Sequence, residues 1–96
     1  MNQFAIYHKE EAFNAFKKHH PCRNYDDFLS EVCRSTFVYQ LGKMQAWVIT
    51  DNYGNKWLQS YNTIVSVKWA SSGEFERLGK WSVSTSRQQT RFEREV

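Results

Sequence analysis

The chain has 96 residues, a formal net charge of +3 and 41% apolar residues. That length suits one domain, spanning 1–96, with a compact core of few layers. The mild positive charge permits contact with nucleic acid or an acidic protein, but the dense basic block of a dedicated nucleic-acid binder is absent.

Aromatic residues make up 17% of the chain, enough to build a core without help from a metal or a disulfide. Trp47, Trp57, Trp69 and Trp81, with the Phe and Tyr residues, are a surplus for so small a body. Some of these rings are expected at the surface, where Trp and Tyr favour contacts. Cys22 and Cys33 are the only cysteines and lack a close paired spacing, so free thiols in a reducing cytoplasm are expected. No apolar run approaches the ~18 residues that cross a membrane. The N-terminal segment has no charged lead followed by an apolar signal core. The expected location is therefore cytoplasmic.

The first predicted element is an amphipathic helix over His8 to His20. Ala12, Phe13 and Phe16 share one face, and the positive Lys17, Lys18, His19 and His20 complement the dipole in the last turn. Pro21 ends it. A second helix starts at Asn24 as N-cap, with Asp26 and Asp27 in its first turn and Tyr25, Phe28, Leu29 and Val32 at i, i+3, i+4 and i+7. The β-branched and aromatic stretch Thr36 to Tyr39 either continues that helix or starts an extended segment, and Gly42 stops both.

From Met44 the period changes to two. Met44 to Thr50 reads as a strand, Asn52 to Asn55 as a turn, and Lys56 to Tyr61 as the hairpin partner. Ile64 to Ala70 is the next strand, with Val65, Val67 and Trp69 alternating against Ser66 and Lys68. Asn62 and Thr63 mark either a turn or a bend in one long strand. A turn at Ser71 to Gly73 leads to a short strand from Glu74 to Leu78. Ser82, Ser84, Thr85 and Ser86 are candidate caps for a last helix anchored by Phe92 and Val96. The expected fold is α+β: two N-terminal helices, a three- to four-stranded antiparallel sheet, and a C-terminal helix packed on it.

No arrangement of residues demands catalysis. His19, His20, Cys22 and Cys33 are the nearest approach to a metal set, but adjacent helical residues point about 100° apart and paired zinc-ligand spacing is missing. Neither cysteine carries a nucleophile signature. Asp26 and Asp27 are explained by the helix dipole, and the four scattered glycines make no phosphate-cradling loop. No enzyme activity, metal or cofactor is expected.

Two surfaces are candidates for contact. Arg87, Arg91 and Arg94 recur at i, i+4 and i+7 and form a basic stripe, with hydroxyls at the helix start suited to phosphate. The competing reading is a solvated charged face. Trp57, Tyr61 and Trp69 share one parity if their strands are continuous, and form an aromatic face that either buries under the helices or presents stacking platforms.

Ser60, Tyr61, Thr63 and Val65, a turn at Gly73, and then Ser82, Thr85, Ser86, Arg87 and Phe92 form a pattern. It resembles a small family of phage and mobile-element proteins of uncharacterised function, reading S-Y-x-T-x-V-A, a Gly-centred turn, and aromatic-S-x-T-T-S-K/R-H followed by Phe. Ser66, Ser84 and Gln88 depart from it at the Ala, the first Thr and the His. The resemblance implies a phage-type protein of the host-cell cytoplasm that binds and inhibits a host protein or nucleoprotein complex, CRISPR effectors included. The alternative is a small nucleic-acid-binding accessory protein using the C-terminal basic helix.

Overall fold

A computed structural model describes residues 10–79 and 82–96. In chain order the elements are α1 (Glu10–His19), α2 (Tyr25–Phe28), a π-helical turn (Leu29–Cys33), β1 (Val38–Gln40), β2 (Ala46–Thr50), β3 (Lys56–Ser60), β4 (Thr63–Lys68), β5 (Phe75–Arg77) and α3 (Val83–Glu95). The strands form one antiparallel meander in the order β1-β2-β3-β4-β5. The α+β class, antiparallel sheet and C-terminal helix match the sequence expectation. Among the described residues the strand count is five rather than three or four.

The extra strand is β1. Its three residues are too few to display a period, and only the pairing of Val38 with Ile49 and Tyr39 with Val48 fixes it as extended. The second helix also differs. It begins as expected, with Asn24 accepting from the Asp27 amide at 2.9 Å and Asp27 accepting from the Asn24 amide at 2.9 Å, a reciprocal cap. After one α-turn it widens, and the Arg34 amide donates to the Leu29 carbonyl at 2.9 Å. The wider turn points both Val32 and Cys33 into the core. Of the first predicted helix, His8 and Lys9 lie outside the described residues, Glu10–His19 form α1, and His20 falls just beyond its end, before Pro21.

The sheet separates two apolar clusters. On one face, Ile49, Trp57, Ile64, Val67 and Trp69 pack against Ala12, Ala15 and Phe16 of α1 and Phe28 and Val32 beyond it. On the other, Ala46, Val48, Leu58 and Val65 meet Phe92 of α3, with Leu41 closing the side.

A β-bulge decides which residue serves which face. Leu58 pairs with Ser66 but Gln59 pairs with Ile64, so Val65 is an extra residue in β4. The expected alternation therefore fails: Val65 faces α3 while Val67 and Trp69 face α1. The turn question is also settled. Ser60 pairs with Thr63, leaving Tyr61 and Asn62 as a two-residue connection, and Tyr61 takes a left-handed φ of 54°.

Candidate functional site

The last helix begins at Ser82, whose hydroxyl accepts from the Thr85 amide at 3.4 Å. This cap starts α3 four residues before Arg87. Thr85, Gln88, Gln89 and Phe92 turn inward and are buried, more anchors than the Phe92 and Val96 expected from sequence. Only Phe92 among these four is apolar, and it sits edge-on to Phe75 with ring centroids 5.4 Å apart. Gln89 donates to the Val65 carbonyl at 2.8 Å, reaching the bulge, and the Thr85 and Ser60 hydroxyls lie 3.3 Å apart. Nothing in the sequence marks Gln89 as buried. A polar residue beside a charged run reads as surface, and only the bulge carbonyl gives it a partner.

With that face committed to the sheet, Val83, Arg87, Arg91 and Arg94 point to solvent and line a shallow groove of about 480 Å³ with Ser86 and Thr90. Val83 is 71% exposed, an apolar residue in an otherwise polar row. The three arginines are not equivalent. Arg91 donates to Glu95 one turn on, and its guanidinium lies over Gly42, where a Cβ would come within 2.7 Å of it. Gly42 has φ +60°, a left-handed conformation that favours glycine, and a side chain there would require the Arg91 guanidinium to move. Arg87 and Arg94 have no carboxylate partner among the described residues.

On the β5 side, Arg77 donates to both oxygens of Glu93, at 2.8 and 3.0 Å, and fastens the helix to the sheet. These bonds hold the Glu93 carboxyl below the usual carboxylate range and raise the Arg77 guanidinium further above its own.

The aromatic candidates are divided. Trp57 is fully buried and Trp69 is 4% exposed; they meet edge-on at 5.5 Å, and the Trp57 indole donates to Asp51 at 2.9 Å. Both rings are covered from the α1 side, where His19 stacks on Trp69 at 3.5 Å and Phe16 approaches Trp57 at 6.3 Å. They are core, not contact surface. Tyr61 does not share their face, because β3 ends at Ser60 and Tyr61 lies in the turn that follows. Its ring is 54% exposed, and the turn carrying it is joined to α3 through Ser60 and Thr85.

The two imidazoles are similarly occupied. Asn55 accepts from the Ala70 amide at 2.9 Å and donates to Asp51 at 3.0 Å. This fixes its amide, so its remaining N–H donates to His20 Nε2 at 3.1 Å. His20 also stacks on Tyr53 at 4.0 Å. Cys22 is exposed and Cys33 is buried. Among the described residues no three His, Cys, Asp or Glu side chains converge to hold a metal, and no helix is long and apolar enough to cross a membrane.

The two halves of the C-terminal sequence pattern meet in space. Ser60 touches Thr85, Ser82 caps Thr85, Val65 receives Gln89, and Phe92 fills the cluster beneath. A model for a family of unknown function, DUF8033, matches residues 34–95. The chain belongs to this family. The DUF8033 match takes in all five strands and α3 and leaves α1 and α2 outside it. No curated protein and no solved structure matches the chain. The outward arginines of α3 lie inside the DUF8033 segment, and the helical cover of Trp57 and Trp69 comes from outside it.

Proposed function

We propose that this protein works by binding rather than by catalysis, and that it docks the outer face of α3 onto a host protein or nucleoprotein complex and inhibits it. The observation that supports this reading is the division of labour on α3. Its inward residues are engaged by the sheet, while Arg87 and Arg94 stand in solvent without carboxylate partners among the described residues, around an exposed Val83. Arginine beside exposed apolar surface is the composition of a contact hot spot. Tyr61 adds to it. A tyrosine at φ 54° is held where glycine or asparagine costs about 1 kcal/mol less, and such strain is more often kept for a contact than for the fold. The C-terminal pattern's resemblance to phage proteins makes a CRISPR effector one such machine.

The second reading is direct binding of nucleic acid, favoured by the same unpaired arginines, since guanidinium groups match phosphate. One pair of measurements separates the two. Cleavage by a purified CRISPR effector is followed with increasing protein, and mobility shift on generic DNA and RNA is followed across a salt series. Stoichiometric loss of cleavage that the Arg87→Ala, Arg94→Ala double variant relieves supports inhibition. Tight nucleic-acid binding with a steep salt slope, weakened by the same variant, supports the second reading. Neither effect, with the fold intact, removes α3 as the working surface.

A further inference from the structure

The two edges of the sheet are built differently. β5 carries Glu76 and Arg77, whose side chains are tied to Trp69 and Glu93, and charge on an edge discourages further pairing. β1 carries Val38, Tyr39 and Gln40, preceded by Thr36 and Phe37, without a charge, a proline or a bulge. Phe37 is 70% and Tyr39 50% exposed. Among the described residues no strand pairs with the outer side of β1, and an edge of this kind is a template for another strand.

The hydrogen-bond phase of β1 specifies which strand fits. The Leu41 amide donates to Ala46 and the Thr50 amide donates to Phe37, both at 2.8 Å, so Phe37, Tyr39 and Leu41 turn their backbone groups toward β2. Val38 and Gln40 therefore direct an N–H and a C=O each to the outside. In an antiparallel copy of β1 centred on Tyr39, Val38 of one chain lies opposite Gln40 of the other. Each pair then exchanges both bonds, and all four outward groups of each chain are satisfied with none left over. Tyr39 meets its own counterpart at the dyad in a close, non-hydrogen-bonded pair, flanked by Phe37 on the same face.

We infer that β1 is a homodimer interface, and that a second copy of this chain pairs with it antiparallel about Tyr39. The occupant follows from reciprocity, since a two-fold contact needs a segment that is its own complement and the β1 register is one. The four exposed rings and the joined edges amount to an area on the order of 1,000 Å², the lower bound of a specific interface. The dimer is therefore weak and concentration-dependent. Its dyad is perpendicular to a continuous ten-strand sheet, so both α3 helices lie on the same side, six strand spacings or roughly 30 Å apart. A partner would then meet two arginine faces at once.

The inference does not depend on what α3 binds. Sedimentation equilibrium from micromolar to millimolar concentration is expected to show a monomer–dimer transition. Tyr39→Lys and Tyr39→Glu each place like charges across the dyad and are expected to be monomeric, with thermal melts matching the parent; mixed together, they are expected to form a heterodimer. In a Cys22→Ser background, Tyr39→Cys is expected to cross-link as a disulfide dimer, because the non-hydrogen-bonded spacing of about 4.5 Å lies within disulfide reach. A parent protein that stays monomeric throughout, or a dimer that survives both charge variants, overturns the inference.

Discussion

The two faces of the sheet are held by different physics. Toward α1 the contact is a continuous aromatic and aliphatic cluster in which Phe16, Phe28, Trp57 and Trp69 touch in sequence. Toward α3 one buried ring, Phe92, meets the partly buried Phe75 edge-on among aliphatic residues, two buried glutamines and a hydroxyl pair. Burial of large rings supplies most of the stability. Directed hydrogen bonds add less net energy but fix position. The fold therefore places its bulk stability under α1 and leaves α3 lightly but specifically attached, with its charged side outward. A helix held in that way opens locally at lower cost than the rest of the molecule.

Four measurements test this contrast, the largest effect first. Trp57→Ala removes a fully buried indole and leaves the Asp51 carboxylate without one of its donors, so it is expected to lower stability by about 3–5 kcal/mol in urea titration and to raise amide exchange across the whole sheet. Gln89→Ala is expected to cost about 1–2 kcal/mol, with the faster exchange confined to α3. If both variants raise exchange everywhere, the two faces are one cooperative unit and the contrast fails.

The Arg77–Glu93 pair gives the third. The Glu93 carboxyl is held below its usual range, so its contribution is complete above the unfolded carboxylate range and is lost as pH falls through the lowered folded value. Both side chains are partly exposed, at 43% and 30%, which limits the effect to about 0.5 kcal/mol. Melts of the parent and Glu93→Gln should differ at neutral pH and converge in acid; a gap that persists in acid assigns the difference to packing instead. Last, the Arg87→Ala, Arg94→Ala variant is expected to melt within about 0.5 kcal/mol of the parent. A larger loss would make the outward arginines part of the scaffold rather than of a surface.

Much of the α+β architecture was legible in the sequence because it rests on local signals. The Asn24 cap with its acidic first turn, the Pro21 stop, the change to period two at Met44 and the turn between Asp51 and Asn55 each need only neighbours. The misses all depend on distant partners. β1 is three residues whose extended state comes from β2. The bulge at Val65 changes strand parity in β4 without changing any residue type, and the left-handed turn that takes Tyr61 off the face of Trp57 and Trp69 forms only once Ser60 pairs with Thr63. For the candidate site, the i, i+4, i+7 spacing of Arg87, Arg91 and Arg94 was enough to place them on one face. Their inequality was not legible, because it depends on Gly42 and on which rotamer Arg91 adopts beside Glu95.

That inequality has a kinetic meaning on the proposed reading. Arg87 and Arg94 are free to attract an approaching anionic partner at a distance, and long-range attraction of this kind acts on the association rate and fades with salt. Arg91 must first leave Glu95 and its seat over Gly42, so it engages only after the partner has arrived. Its contribution falls in the lifetime of the complex. Removing Glu95 would therefore let Arg91 join the long-range attraction and speed the encounter, most at low salt.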